Sequence, residues 1–397
     1  MAINLHNSLS GELEEFVPIT SGEVKMYHCG PTVYDSVHIG NLRSFLLADT
    51  LRRTFEYLDF KVLQVMNITD VGIGGDNDEG EDKMIRGLKR DGKSITMESM
   101  KGLGDFYTEV FKKDISKLNI NEPDVLPKAS EHLPEQIALI KKLEEKGFTY
   151  QTSDGVYFDV TKDLKYGRLG KLGKELESRI TNSEKRNSQD FALWKFNKNL
   201  GFESPWGQGF PGWHLECSAM STKYLGDTFD IHTGGIDLAP IHHNNEIAQS
   251  ENACGCELAH YWLHNGFINV ADAKMAKSEG NFYTLGDIER KGFSPLAYRY
   301  FLLNSQYRTP TNFSWEALEA AQNAYNKLQD LRFRIKDLGI GDVDEAYKAR
   351  FKEKMENDLN TPQALAVLWT LVKDKEVTPP NKLATLLDFD QVLGLGL

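Results

Sequence analysis

Cysteine is scarce in this sequence: Cys29, Cys217, Cys254 and Cys256 are four residues in 397. That is too few for a disulfide framework, so metal binding or chemistry is the more informative use of the thiols, with buried bystander thiols as the plain alternative. Long apolar runs are missing as well. No stretch approaches the roughly 18 to 20 apolar residues of a membrane span, and the opening Met-Ala-Ile-Asn-Leu-His-Asn lacks a basic, hydrophobic signal pattern. No membrane partner and a cytoplasmic location are therefore expected. Positive charge is also short: the formal net charge of -12 excludes a general nucleic-acid coat, which needs a local excess of Lys and Arg. One specific RNA partner could still dock on a local patch. The candidate is Lys327, Arg332, Arg334 and Lys336 with Lys348, Arg350, Lys352 and Lys354, but acidic residues interleave these as on a solvated helix face.

What is present is enough apolar material, 40% of residues, to bury a large core divided into two to four domains or subdomains. The most informative stretch is Tyr27 to Asn41, Tyr-His-Cys-Gly-Pro-Thr-Val-Tyr-Asp-Ser-Val-His-Ile-Gly-Asn. Val24, Met26 and His28 alternate with Lys25 and Tyr27 as in a half-buried strand, which Gly30-Pro31 ends. Leu42, Phe45, Leu46, Asp49, Arg52, Arg53, Phe55 and Leu58 then follow helical spacing. The loop between lies where α/β folds bind ligands, beyond the carboxyl end of a strand. There His38 and the amides of Gly40 and Asn41 would face an anion, helped by the helix dipole.

Lys61 to Thr69 reads as a second buried strand, completing a βαβ unit and hence a parallel sheet. Asp70 to Asp82 is rich in Gly and acid, yet Gly80 stands where a calcium loop needs its third acidic ligand, so an exposed loop feeding a helix from Lys83 is expected. From Glu122 to about Ser188 the texture changes to an inserted subdomain: Pro123 and Pro127 break the chain, a helix covers Leu133 to Lys146, a strand begins at Gly155, and Lys162 to Lys185 read as surface. Asp190-Phe-Ala-Leu-Trp-Lys restores alternation, and a Gly/Pro-rich turn leads into a helix at Trp213. Asp227 to Thr233 reads as a strand followed by Gly234-Gly235-Ile-Asp237 and a helix from His242; beyond Trp315 the spacing is helical throughout.

His242 and Glu246 are four apart on a helix and project from one face. With Cys29 and Cys217, each on a loop at the sheet edge, they would offer two thiolates, an imidazole and a carboxylate, all zinc ligands; the same i, i+4 pair also occurs on solvated faces. A rival set is local, Cys254, Cys256, His260 and His264 in a C-x-C-x3-H-x3-H pattern, but it is cramped beside the longer loops of zinc fingers. Ala273-Lys274-Met-Ala-Lys277-Ser278 puts two lysines three apart in a loop, where they would neutralise a leaving pyrophosphate or merely be solvated. His28, His214, His232, His243 and His264 are each compatible with a buried core histidine; their clustering near the same loops is the only other hint.

Together these stretches closely resemble the cysteinyl-tRNA synthetases, class I aminoacyl-tRNA synthetases, over roughly Met26 to Ser314 and more weakly beyond. The motifs are Cys-Gly-Pro-Thr-Val-Tyr-Asp with His38-Ile-Gly-Asn41, Asn67-Ile-Thr-Asp-Val, Asp190-Phe-Ala-Leu-Trp-Lys, Pro211-Gly-Trp-His-Leu-Glu-Cys-Ser-Ala-Met, Gly235-Ile-Asp-Leu, His242-His-x-x-Glu246-Ile-Ala-Gln and Lys274-Met-x-Lys277-Ser278. The resemblance implies a Rossmann-like doubly wound parallel sheet with an inserted subdomain and a C-terminal α-helical bundle. Its divisions would be the first half of the catalytic domain at 1–121, the insert at 122–188, the second half at 189–267, a lysine-loop subdomain at 268–314 and the bundle at 315–397.

The resemblance further implies that Cys29, Cys217, His242 and Glu246 bind Zn²⁺, that Thr69, Trp213 and Asp237 form the cysteine pocket, and that His38, Lys274 and Lys277 are catalytic. Gly40, Asn41, Gly234, Gly235 and Ser278 would hold ATP, accompanied by Mg²⁺. The partners so implied are ATP, L-cysteine and tRNA(Cys), for a monomer. The cysteine carboxylate would attack the α-phosphate to give cysteinyl-adenylate, and the terminal adenosine hydroxyl of tRNA would accept the cysteinyl group. The sequence departs from the family in four places. Ala276 replaces the first serine of the lysine loop, Ala239-Pro-Ile and Asn244 replace a usual Phe-Pro and a common Glu, Asp70 to Asp82 is long, and the chain ends at Leu397 where typical members continue into a small anticodon-recognising module. That end keeps a second acceptor open: the amine of a small molecule, as in the mycothiol-pathway cysteine ligase. A zinc-binding paralogue without activity is a third reading, against which His38, Lys274 and Lys277 speak.

Overall fold

The computed structural model describes residues 3–72, 82–169, 183–270 and 282–397, with backbone alone at 273–274. A small antiparallel hairpin, β1 (Asn4–Asn7) and β2 (Glu12–Glu15), precedes β3 (Glu23–His28). Helix α1 (Ile39–Tyr57) then returns the chain to β4 (Lys61–Met66), which pairs parallel with β3 from Glu23 opposite Lys61 to His28 opposite Met66. The expected βαβ unit is thus present. Tyr27 is as buried as Val24 and Met26, so β3 is covered on both faces, whereas a half-buried strand was expected. Val24 and Met26 face the α1 side with Leu42, Leu51 and Phe55, while Tyr27 joins Cys29, Cys217, Met220 and Phe229 on the other. Burial on both faces is the usual condition of a parallel sheet.

After the 73–81 stretch, which lies outside the described residues, come α2 (Lys83–Arg90) and α3 (Met97–Lys117). The loop ends differ from the exposed loop expected: Asp70 is buried against Ser130, and Asp82 is buried as the cap of α2, accepting from the amide of Ile85. The insert holds α4 (Leu133–Glu145) and strands β5 (Thr149–Gln151) and β6 (Gly155–Phe158). These continue antiparallel into β7 (Phe191–Phe196) and β8 (Gly209–Pro211), making a four-stranded sheet. The division expected at 188/189 therefore falls between two paired strands, and 191–211 sits with the inserted sheet.

Helix α5 (Trp213–Leu225), β9 (Phe229–Gly235), α6 (Asn244–Cys254) and β10 (Ala259–Asn265) complete the central sheet, whose strand order is β10-β9-β3-β4 and whose pairs are all parallel. The chain leaves β3 towards β4 on one side and β9 towards β10 on the other. The gap between β3 and β9 is thus the topological switch point of a doubly wound sheet, where ligands bind beyond the carboxyl ends of the strands. A second small sheet joins β11 (Ile268–Val270), β12 (Ala273–Lys274) and, after α7 (Leu285–Arg290) and α8 (Pro295–Leu303), β13 (Thr311–Phe313).

Four helices end the chain: α9 (Trp315–Ile335), α10 (Glu345–Glu356), α11 (Thr361–Lys373) and α12 (Pro379–Leu393). Phe351 and Phe389 stack at 4.1 Å in their core. Several of the basic residues considered as an RNA patch are engaged locally, Lys348 with Asp388, Lys352 with Glu356 and Lys354 with Glu353, as on a solvated helix face. Among the described residues no helix is long and apolar enough to cross a membrane.

Candidate functional site

The carboxyl ends of β3, β4, β9 and β10 open into one cavity of about 290 Å³. Its wall includes Cys29 and Gly30 after β3, Asn67 and Thr69 after β4, Gly235 and Asp237 after β9, and Asn265 at the end of β10. His38, Gly40 and Asn41 of the α1 start line the same space, as do Trp213 and Cys217 of α5 and His242. Gly30 is forced by close approach: a Cβ there would collide with the carbonyl oxygen of Asn67, and its amide donates to the Asn67 side chain at 2.8 Å. Gly40 is forced by the cap of α1. His38 folds over it so that Nδ1 accepts the Asn41 amide at 3.1 Å, and a Cβ on Gly40 would stand 2.9 Å from that nitrogen. The Asn41 amide, expected to face an anion, is thus held by His38 itself.

On the cavity floor the ligand atoms of Cys29, Cys217, His242 and Glu246 all lie within 4.8 Å of one another. The two sulfurs are 3.9 Å apart, Cys29 Sγ is 3.5 Å from Glu246 Oε1, and His242 Nε2 is 3.0 Å from that same oxygen. With metal–sulfur bonds of about 2.3 Å and metal–nitrogen or metal–oxygen bonds of about 2.0 to 2.2 Å, the corners of a tetrahedral site stand about 3.3 to 3.8 Å apart. The four side chains match that spacing, the His242–Glu246 edge being the tightest. His242 Nε2 is buried and turned towards Glu246 Oε1, so its nearest polar neighbour is another member of the same set.

A second group, Cys29, His232, His243 and Glu246, is equally close. Only one of its histidines is engaged otherwise, since His243 keeps Nε2 turned to Cys29 Sγ at 3.4 Å. His232 Nε2 holds Glu246 Oε2 at 2.8 Å, so the carboxylate gives one oxygen to His232 and turns Oε1 to the cysteines and His242. His243 Nδ1 is tied to His264 at 2.7 Å, and His264 to Ser8 at 2.8 Å. His214 Nδ1 meets His242 Nδ1 at 2.8 Å, leaving Nε2 of His242 as its free ligand atom. Such partners around a metal-binding set fix tautomers and ring orientations.

The charges suit a cation. Burial alone would raise Glu246, but His232 and His242 outweigh it and hold the carboxylate down at about 2. Burial also opposes the thiolate of Cys217, yet the hydrogen bond from Cys29 and the neighbouring His242 bring it to about 6. Burial and then Cys217 push the Cys29 thiol well up, so a metal entering here displaces a proton from it. His214 is driven well below its ordinary value by burial and His242, which keeps it neutral and able to accept from His242 Nδ1.

Of the remaining expected residues, Thr69 donates to the buried Glu216 at 2.7 Å, Trp213 lies on His242 with ring centres 4.5 Å apart, and Asp237 is exposed where the cavity opens. Gly235 lines the cavity, whereas Gly234 packs under His243. Lys274 has only its backbone described, paired with Asn269, and Lys277 and Ser278 lie outside the described residues. The local rival does not assemble: Cys254 and Cys256 form a disulfide, His260 faces Glu257, and His264 sits with His243. Sequence reasoning passed over Glu216 and Lys83 as site residues and left the histidines undecided, since a core histidine and a ligand's partner look alike in sequence.

Residues 15–323 match the family described as the tRNA synthetases class I (C) catalytic domain, and residues 350–397 match the DALR domain. A Burkholderia lata protein named cysteine–tRNA ligase 1 is 47% identical over 407 residues, spanning 100% of this chain and 85% of that protein. A Treponema denticola cysteine–tRNA ligase is 43% identical over 432 residues, spanning 100% of this chain and 87% of its own length. Among solved structures, Mycobacterium tuberculosis methionyl-tRNA synthetase in complex with methionyl-adenylate superposes with a TM-score of 0.62 at 14% identity, covering 94% of this chain and 90% of that one. Agrobacterium radiobacter K84 LeuRS, in a ternary complex with tRNA and LeuAMS, gives 0.65 at 11% identity, covering 96% and 84%. These two likenesses speak to the fold alone. The chain belongs to the cysteine–tRNA ligase family of class I aminoacyl-tRNA synthetases.

Proposed function

We propose that this chain activates L-cysteine with ATP to form cysteinyl-adenylate and transfers the cysteinyl group to the 3'-terminal adenosine of tRNA(Cys). One observation carries the proposal: Cys29, Cys217, His242 and Glu246 converge on the floor of the cavity whose wall also includes His38 at the start of α1. The similar proteins from Burkholderia lata and Treponema denticola are both named cysteine–tRNA ligases, which favours tRNA over a small amine as acceptor.

Zn²⁺ fits the four side chains, and when bound it supplies a soft Lewis acid that favours a thiolate over a hydroxyl. That chemistry matters because a pocket measuring only size separates near-isosteres by roughly 1 to 3 kcal/mol. Asp237 receives the substrate ammonium. Thr69, held by Glu216, and Trp213, set against His242, form the walls around the side chain. The cysteine carboxylate itself attacks the α-phosphate, so no enzyme nucleophile is needed; positioning and charge stabilisation suffice. His38, Gly40, Asn41, Gly235 and Ser278 hold ATP with its Mg²⁺, Gly234 packing under His243 instead, while Lys274 and Lys277 neutralise the departing pyrophosphate. The enzyme works as a cytoplasmic monomer.

The test is cysteine-dependent exchange between ATP and pyrophosphate, followed by offering tRNA or an amino sugar as acceptor. Exchange with transfer to tRNA is expected. Absence of exchange sinks the activation step, and transfer to the amino sugar alone replaces the acceptor.

A further inference from the structure

Tyr27 stands two residues before Cys29 on β3, and the strands on either side fix its backbone, which pairs with Val65 of β4 and with His232 of β9. Its ring is fully buried among Cys29, Cys217, Met220 and Phe229, and its centre lies 5.2 Å from that of the His232 ring. The phenol oxygen is buried as well. Among the described residues it has no hydrogen-bond partner of good geometry. An unpaired buried hydroxyl is costly, and native interiors rarely keep one without a use for it.

The hydroxyl faces the metal-binding cluster. After burial, Cys217 acts on it most strongly, followed by Cys29 and Glu246, and all of them push the phenol well above its ordinary value. It therefore stays a protonated donor. As a thiol, Cys217 offers it little: the S–H turns away to Asn67 Oδ1 at 3.6 Å, and a thiol sulfur accepts only weakly. A thiolate accepts strongly. Charge points the same way, because two thiolates and a carboxylate carry more negative charge than a divalent cation cancels, and the excess lies on a buried floor that needs donors. The Glu246 carboxylate is met there by His232 Nε2 at 2.8 Å. Tyr27 stands in the equivalent place beside Cys217.

We infer that Tyr27 is a positioning residue of the metal site, its hydroxyl donating to the Cys217 sulfur when that sulfur holds the ion. This rests on the reading of Cys29, Cys217, His242 and Glu246 as a zinc site. The test is Tyr27→Phe, which removes the oxygen and keeps the ring. Two quantities should then part. Zinc affinity, measured by competition with a chelator, should fall by about 10- to 100-fold, the usual cost of removing a ligand's outer partner. Thermal unfolding of the zinc-stripped variant should have a midpoint equal to or above that of the zinc-stripped unaltered chain, because an unpaired buried hydroxyl has gone. Cobalt(II) in place of zinc reports on the sulfur itself: its thiolate-to-metal absorption should move to longer wavelength in the variant, as the sulfur loses a donor. Zinc affinity within about 2-fold of the unaltered chain would overturn the inference, and so would an unmoved cobalt band. A lower midpoint, or a variant that does not fold, would overturn it too by making Tyr27 a packing residue. An unaltered chain that binds no zinc would remove the zinc site itself, a result distinct from a zinc-binding chain whose affinity ignores Tyr27.

Discussion

Cys29 and Cys217, separated by 188 residues, hold their sulfur atoms 3.9 Å apart. The sheet explains the meeting. Cys29 follows the last residue of β3, while Cys217 sits one turn into α5, whose buried side packs over the face of β3 that carries Tyr27. His242 and Glu246 arrive from the crossing after β9, the strand beside β3, so parallel neighbours deliver all four side chains to one point, where they could hold a metal ion.

Removing one of these sulfurs should empty the site, while removing a sulfur elsewhere should not. Cys217→Ser is expected to lose bound zinc, and Cys256→Ser, altering the disulfide at the end of α6, to keep it. Metal analysis of the purified variants decides between them. Zinc retained in Cys217→Ser and lost in Cys256→Ser would transfer the site to the local cysteine pair.

His232 touches Glu246 through the oxygen that faces away from the other ligands. His232→Asn should leave all four ligands present yet weaken zinc retention by about 10- to 100-fold, the usual cost of removing such a partner. Competition with a chelator measures it. Retention equal to the unaltered protein would mean that Glu246 needs no such orientation.

Spacing alone offered Cys29, Cys217, His242 and Glu246 as one candidate set beside the local Cys254–His264 rival; the family motifs singled the four out, and the fold brings their ligand atoms within 4.8 Å of one another. The partners around them were not legible in the sequence. His214, His232 and His243 carry no spacing that separates a ligand's support from a buried ring. The inserted sheet was also hidden, since the pairing of β6 with β7 joins segments more than 30 residues apart, and local alternation is silent about such pairing. Asp70 and Asp82 were lost in an acid-rich stretch whose composition suggested exposure, although each is buried by one specific hydrogen-bonding role. Asn244, a departure from the family, finds its reason only in space: its amide donates to the carbonyls of Leu169 and Pro240 and accepts from Leu169, tying the insert to the start of α6.

Arg299 is a buried tie between the catalytic sheet and the terminal helices. Its guanidinium donates to Asp49 of α1 at 2.6 Å, to Leu118 and Asn119 after α3 at 2.9 Å each, and to Leu393 at the end of α12 at 2.6 Å. Arg299→Met leaves three carbonyls and a buried carboxylate short of a donor. A loss of about 3 to 5 kcal/mol is expected, as for breaking a buried pair from one side. Thermal unfolding of the variant reads it, and an unchanged midpoint would rule out Arg299 as the tie.

Asp114 should make stability depend on pH in the direction opposite to a salt-bridged carboxylate. It sits in the last turns of α3, buried, where a negative charge also opposes the helix dipole. Burial is the main cause that raises its carboxyl to about 6; Lys117 opposes the rise and Glu289 adds to it. A folded-state value above the ordinary 3.8 means that the folded protein holds a proton the unfolded chain has released. The cost is therefore present in full above pH 6 and disappears as pH falls towards 4. Asp114→Asn removes the charge in both states and should raise stability by about 1 to 3 kcal/mol at pH 8. The advantage should shrink through pH 6 and be absent near pH 4. Melting temperatures of the two proteins across that range test the sign, and a variant that is less stable at pH 8 than at pH 4, relative to the unaltered chain, would mean that the Asp114 carboxylate is stabilised in the fold.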